Sequence, residues 1–179
     1  MELSTYGYIV GALLALIGLA ALGAKEPFFG AVQVFPRHSL WARILTAVVL
    51  GWTVWILFNM TLGWFEPYKN TIYFLAPVAY FLIVIYLDEL LAPRMLGVLL
   101  LLAAAPILDA ARWHDSPWRL VLTVVVYVWV VWGMVLVLSP YRFRKTIEAW
   151  AANDVLFKSI ALVLAGVGIL LIGLSATLY

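Results

Sequence analysis

Residues 120–140 read LVLTVVVYVWVVWGMVLVLSP, a run with no charged side chain. Its β-branched residues favour a strand in water. In hydrocarbon, every backbone N–H and C=O must be paired within the protein, and a run of about 20 apolar residues does this as a helix. A barrel strand is the other solution, but it needs about ten residues alternating between lipid and lumen. The run LLLLAAA at 99–105 does not alternate. Working outward, five more runs have the length or nearly so: residues 5–24, 44–65, 71–87, 95–111 and 155–179. The expected fold is an all-α integral membrane protein, one transmembrane domain over 1–179. It has six transmembrane helices and one or two interfacial segments on the cytoplasmic side.

Composition agrees. The chain has 179 residues, 66% hydrophobic and 11% charged, with a mean hydropathy of +1.08; soluble domains carry about 25% charged residues. Eleven basic and nine acidic side chains are too few to solvate a globule of this size. This excludes a free cytosolic enzyme, a disordered segment and a nucleic-acid binder. The absence of cysteine excludes disulfides, iron–sulfur clusters and thiolate chemistry.

The first run differs from a signal peptide: only Glu2 is charged ahead of it, and it is longer than the usual 7–15-residue apolar region. A retained helix is expected. Orientation follows from Lys and Arg in short loops. The first, third and fifth loops hold Lys25, Arg37, Arg43, Arg94, Arg142, Arg144 and Lys145, with Lys158 just beyond; the second and fourth hold Lys69, Arg112 and Arg119. Eight against three puts the odd loops in the cytoplasm and both termini outside, in an inner or plasma membrane. Within the first loop, residues 28–35 (FFGAVQVF) are too apolar for solvent and too short to span, so they read as interfacial or re-entrant. In the fifth, Phe143, Ile147, Trp150 and Ala151 share one helical face, with Arg144, Lys145 and Glu148 on the other. Asn153 or Asp154 then offers a cap for the last helix.

Candidate chemistry is sparse. The deep pairs Trp52/Trp55 and Trp129/Trp132, each three residues apart, are ligand or pathway candidates for a quinone, carotenoid or chlorin ring. Gap-filling between helices explains them as well. Asn59 is the sharpest polar residue inside an apolar run and is expected to hydrogen-bond to another helix. Asp109, Arg112, His114 and Asp115 form the densest outer polar cluster, the weak catalytic candidates. Asp109 and Arg112 have the spacing of a helical ion pair, which favours a helix terminus over acid–base chemistry. Arg37, Arg94, Arg142 and Arg144, each near a proline, are headgroup or anion candidates. The two histidines, His38 and His114, lie outside the spans, so neither a transmembrane haem nor a metal site is expected; bound lipid is. Pro77 and Pro106 interrupt the third and fourth runs. Gly7, Gly11, Ala161, Ala165 and Gly168, with a second stripe at Gly166 and Gly173, mark close helix approaches.

Nearly every ionisable residue is outside the spans, unlike in ion-coupled transporters and proton pumps. The expected function is therefore a non-catalytic integral subunit or scaffold of a larger membrane assembly. Its partners are the bilayer and other membrane subunits or a second copy, not nucleic acid. A small transporter or channel for a weakly polar or apolar solute is the alternative, and a lipid-active enzyme a more distant one.

Overall fold

A computed structural model describes residues 2–61, 63–86 and 90–179; the side chains of Arg37, Trp64, Phe65, Tyr68 and Ala151 lie outside the description. Among the described residues eight α-helices follow in order, with no strand: α1 (Leu3–Gly23), α2 (Lys25–Val34), α3 (Ser39–Asn59), α4 (Ile72–Tyr86), α5 (Leu91–Arg112), α6 (Arg119–Leu138), α7 (Tyr141–Ala152) and α8 (Asp154–Thr177). A 3-10 turn, Phe35–Arg37, separates α2 from α3, and a 3-10 helix, Gly63–Thr71, leads into α4. Among the described residues, six helical segments are long and apolar enough to cross a membrane: α1, α3, the Lys69–Tyr86 segment, α5, α6 and α8. The chain is an all-α integral membrane protein.

The bundle is built on two close helix pairs. Helices α1 and α8 run antiparallel with their backbones nearly touching. A Cβ added at Gly168 lies 2.4 Å from the Ala15 nitrogen, at Gly18 2.5 Å from the Ala165 nitrogen, and at Gly11 2.8 Å from the Gly168 carbonyl oxygen. In lipid, apolar side chains gain little by leaving hydrocarbon for protein, so association rests on such close packing. Helices α5 and α6 repeat the device, a Cβ at Gly97 falling 2.7 Å from the Gly133 oxygen. The pairs share one apolar core: Leu3, Val10 and Leu14 from α1, Ala104, Ile107 and Ala111 from α5, Leu122 and Val126 from α6, and Leu171 from α8. Gly166 and Gly173 have nothing within 4 Å of an added Cβ, so that second stripe faces away from the bundle.

Outside this core the packing thins. Helix α3 lies against α5 and contributes Ala42, Thr46 and Val49 as buried residues. Helix α4 lies on α3 and has no buried residue. Tyr73 stacks on Phe58 of α3 at 4.6 Å between ring centroids, and Ile83 and Val84 are half-buried against Ala42, Leu91 and Ala92.

Two shorter helices, α2 and α7, sit at the end shared by the first and fifth connections. Helix α7 buries Ile147 and sets Trp150 against Ala21, Phe157 and Ala161. Its Arg144 pairs with Glu148 on the exposed side at 2.8 Å. Helix α2 buries nothing fully, but it packs on α7, and Phe29 stacks on Phe157 at 4.7 Å. Asn153 caps α8, its side-chain oxygen accepting from the Val155 and Leu156 amides. Neighbouring Asp154 pairs instead with Lys25 at the start of α2.

Boundaries differ most for α3. It begins at Ser39, five residues before the expected 44, and ends at Asn59 rather than 65. Met60 is extended and Gly63 has φ +56°, a left-handed backbone that glycine tolerates and a helix does not. The end of the third run at Leu87, and Asp88 and Glu89 after it, lie outside the described residues.

Candidate functional site

The polar side chains of the spans are satisfied locally. Thr46 and Thr53 of α3 donate to the Ala42 and Val49 carbonyls, Thr123 of α6 to Arg119, and Ser159, Ser175 and Thr177 of α8 to Val155, Leu171 and Gly173. Each bond reaches four residues back along the same helix and uses the hydroxyl's one donor, leaving its oxygen able to accept. Asn59 does the same: its amide nitrogen donates to the Trp55 carbonyl at 2.7 Å. This corrects the expected interhelical bond. Because α3 stops at Asn59, the side chain is exposed at a helix end, where the nearest acceptor is its own last turn.

At the end holding the 113–118 connection, the expected Asp109–Arg112 pair is not formed. Both side chains are exposed and, among the described residues, no ion pair joins them. An exposed pair gains too little to hold two long side chains in place. Arg119, not singled out from the sequence, supplies the order instead. Its guanidinium donates to the carbonyls of Ala111, Arg112 and His114 and closes the end of α5. His114 Nδ1 accepts from the Ser116 amide at 3.2 Å, and its ring meets Tyr179 edge-on at 5.9 Å. Asp115 is exposed. The four catalytic candidates are thus not brought together as an acid–base set. The Tyr179 hydroxyl donates to the Trp118 carbonyl at 2.8 Å, and burial pushes this phenol above the ordinary tyrosine value.

The tryptophan pairs part company. Trp55 is exposed and Trp52 half-buried on α3. On α6, Trp129 packs against the core, whereas Trp132 lines a shallow outer groove of about 430 Å³ with Val124, Tyr127, Val128 and Val131. Neither pair frames an enclosed ring-sized pocket.

A larger groove, about 660 Å³, opens at the α2–α7 end. Its walls come from α2 (Gly30, Ala31, Val32, Val34), the turn (Phe35), the start of α3 (His38, Trp41), Leu96 of α5 and Phe143 of α7. Phe35 and Phe143 stack at 6.0 Å, tying the first connection to the fifth. His38 is the one residue among these walls whose side chain carries an ionisable group, and its Nδ1 is buried without a hydrogen-bond partner among the described residues; so is the Nε of Arg94 on α5. Of the other headgroup candidates, Arg142 and Arg144 are exposed on α7 and the Arg37 side chain lies outside the described residues. Among the described residues no group of three or more His, Asp or Glu is placed to hold a metal ion. Pattern reading noticed His38 only as a lone loop histidine; the groove around it is made by four separate elements and has no local signature.

No protein-family model, no curated protein and no solved structure matches this chain.

Proposed function

We propose that the chain is a non-catalytic integral subunit or scaffold of a larger membrane assembly, with α4 and the outer face of α3 contacting a second copy or another membrane subunit. One observation carries this reading: α4 crosses the bilayer with no buried residue, Phe74 being 79% and Tyr86 80% exposed. Lipid tails satisfy an apolar face, so exposure alone asks for nothing. What α4 lacks is a buried face like the one that holds α1 against α8. A neighbour outside the chain supplies it. The scarcity of ionisable side chains within the spans favours this reading over ion-coupled transport.

The odd-numbered connections face the cytoplasm in this proposal, with both termini outside in an inner or plasma membrane, following the bias of basic residues. A cysteine placed beside Lys145, in a chain with no other, stays unlabelled by an impermeant thiol reagent added outside; labelling there reverses the orientation. The partner surface is tested with a photo-crosslinking residue. Placed at Phe81 of α4 in native membranes, it captures protein. Placed at Ile169 on the outer side of α8, it captures lipid only. Lipid capture at both positions contradicts the proposal.

A further inference from the structure

We infer that α4 is a hinged arm: its first turn is tied to the end of α3, its last turn swings away from α3 and α5, and a strained Leu90 biases it outward. The inference deepens the subunit reading and rests on it only for the neighbour that the displaced helix meets.

Leu90, at the head of α5, has φ +57° and ψ 31°, and it is the one non-glycine residue with a positive φ among the described residues. A Cβ disfavours this left-handed backbone, and an aliphatic side chain has no polar atom to offset the cost with a local hydrogen bond. Such a conformation persists only where the surroundings impose it. On one side they do: Leu91, Ala92 and Pro93 begin α5 and are all buried. On the other side the hold is weak. Ile83 and Val84 are only half-buried against Ala42, Leu91 and Ala92, and Ile85 and Tyr86 are exposed. Strain trapped between a fixed helix start and a loosely seated helix end is relieved by moving the loose end.

The opposite end of α4 is tied. Tyr73 stacks on Phe58 at 4.6 Å. Just ahead of it, Lys69 Nζ donates to the Phe58 carbonyl at 3.3 Å and to the Glu66 carboxylate at 2.6 Å. These contacts make the first turn the pivot. No residue of α4 is buried, so the swing opens no packed core, and lipid replaces the apolar contacts given up at little cost.

Distances between spin labels test the inference in the purified chain in lipid nanodiscs, each label on an introduced cysteine, since the chain has none of its own. One label sits at Val131 of α6 and the other at Ile85 or Phe74 of α4, all three exposed. The Ile85 pair gives two separations, docked and displaced, and the Phe74 pair gives one. Leu90→Gly accepts the left-handed backbone and lowers the displaced share relative to the docked one about tenfold. Leu90→Ile, whose branched Cβ tolerates that backbone less, raises it. A single separation for the Ile85 pair in both the wild type and Leu90→Ile overturns the inference. So do two separations whose ratio is the same in all three chains, and so does a Phe74 pair that spreads as widely as the Ile85 pair. The measurement contains no partner, so its failure is distinct from a failure of the subunit reading.

Discussion

Helices α1 and α4 are both apolar throughout, yet they are held in opposite ways. Helix α1 meets α8 at Gly11, Gly18 and Gly168, where an added Cβ strikes backbone within 3 Å. Helix α4 has large side chains all round, Phe74, Leu75, Phe81 and Ile85 among them, and buries none of its residues. In water both would be driven inward by hydrophobicity. In lipid that drive vanishes and only the shape of the contact counts. The contrast separates a closely packed core, α1, α5, α6 and α8, from a helix with no buried residue, whose packing a partner completes in the proposed assembly.

The contrast breaks most visibly at the crossing point. Gly168→Leu drives a side chain into the Ala15 backbone, which cannot move aside, and is expected to cost about 3 kcal/mol, the upper end for overpacking. Gly166→Leu, two residues away and facing open space, is expected within about 0.5 kcal/mol of wild type. Reversible unfolding in mixed micelles measures both, and equal effects would mean that the α1–α8 crossing is not as described. Gly97→Leu probes the second pair at about 2 kcal/mol, since an added Cβ there meets the Gly133 carbonyl at 2.7 Å and the Leu136 Cβ at 2.9 Å, a less close approach than at Gly168.

Arg119→Ala comes next. It strips the end of α5 of its donor and is expected to cost about 1.5 kcal/mol, against a few tenths for His114→Ala; the reverse order would restore His114 as the organiser of that end. Phe74→Ala on α4 is expected within about 0.5 kcal/mol in the isolated chain, while reducing recovery of any partner from native membranes. The smallest effect is at Tyr179. Burial raises its phenol above the ordinary value near 10, so the neutral form is favoured when folded. Its contribution is complete below about pH 10 and is lost as pH rises through the folded value. Comparing wild type with Tyr179→Phe across an alkaline melting series shows the wild type losing its advantage only at the alkaline end.

Residues 120–140 and the other apolar runs were enough to read the six helices, since bilayer thickness leaves one length and one backbone solution. The amphipathic pattern of 141–152 and the Asn153 cap were equally legible, because helical periodicity and capping are local. Gly7, Gly11, Ala161, Ala165 and Gly168 marked close approaches on α1 and α8 without showing that the two helices pair with each other, and Gly97 and Gly133 pass unnoticed: each is a lone glycine whose partner lies on another helix. Asn59 misled because hydropathy extends α3 past the point where Met60 and Gly63 leave helical geometry. The Asp109–Arg112 spacing was right for a pair, yet spacing does not supply the energy to hold one in an exposed position. The groove at His38 could not be read at all, for its walls converge from α2, α3, α5 and α7.

As proposed, α4 packs against another membrane protein. The most direct test is the native mass of the chain extracted from its own membrane in a mild detergent. A stable particle well above the 20.0 kDa of one chain is expected, falling toward that mass when Phe74, Phe81 and Tyr86 are replaced by alanine. A folded single chain of 20.0 kDa, unchanged by those substitutions, would contradict it.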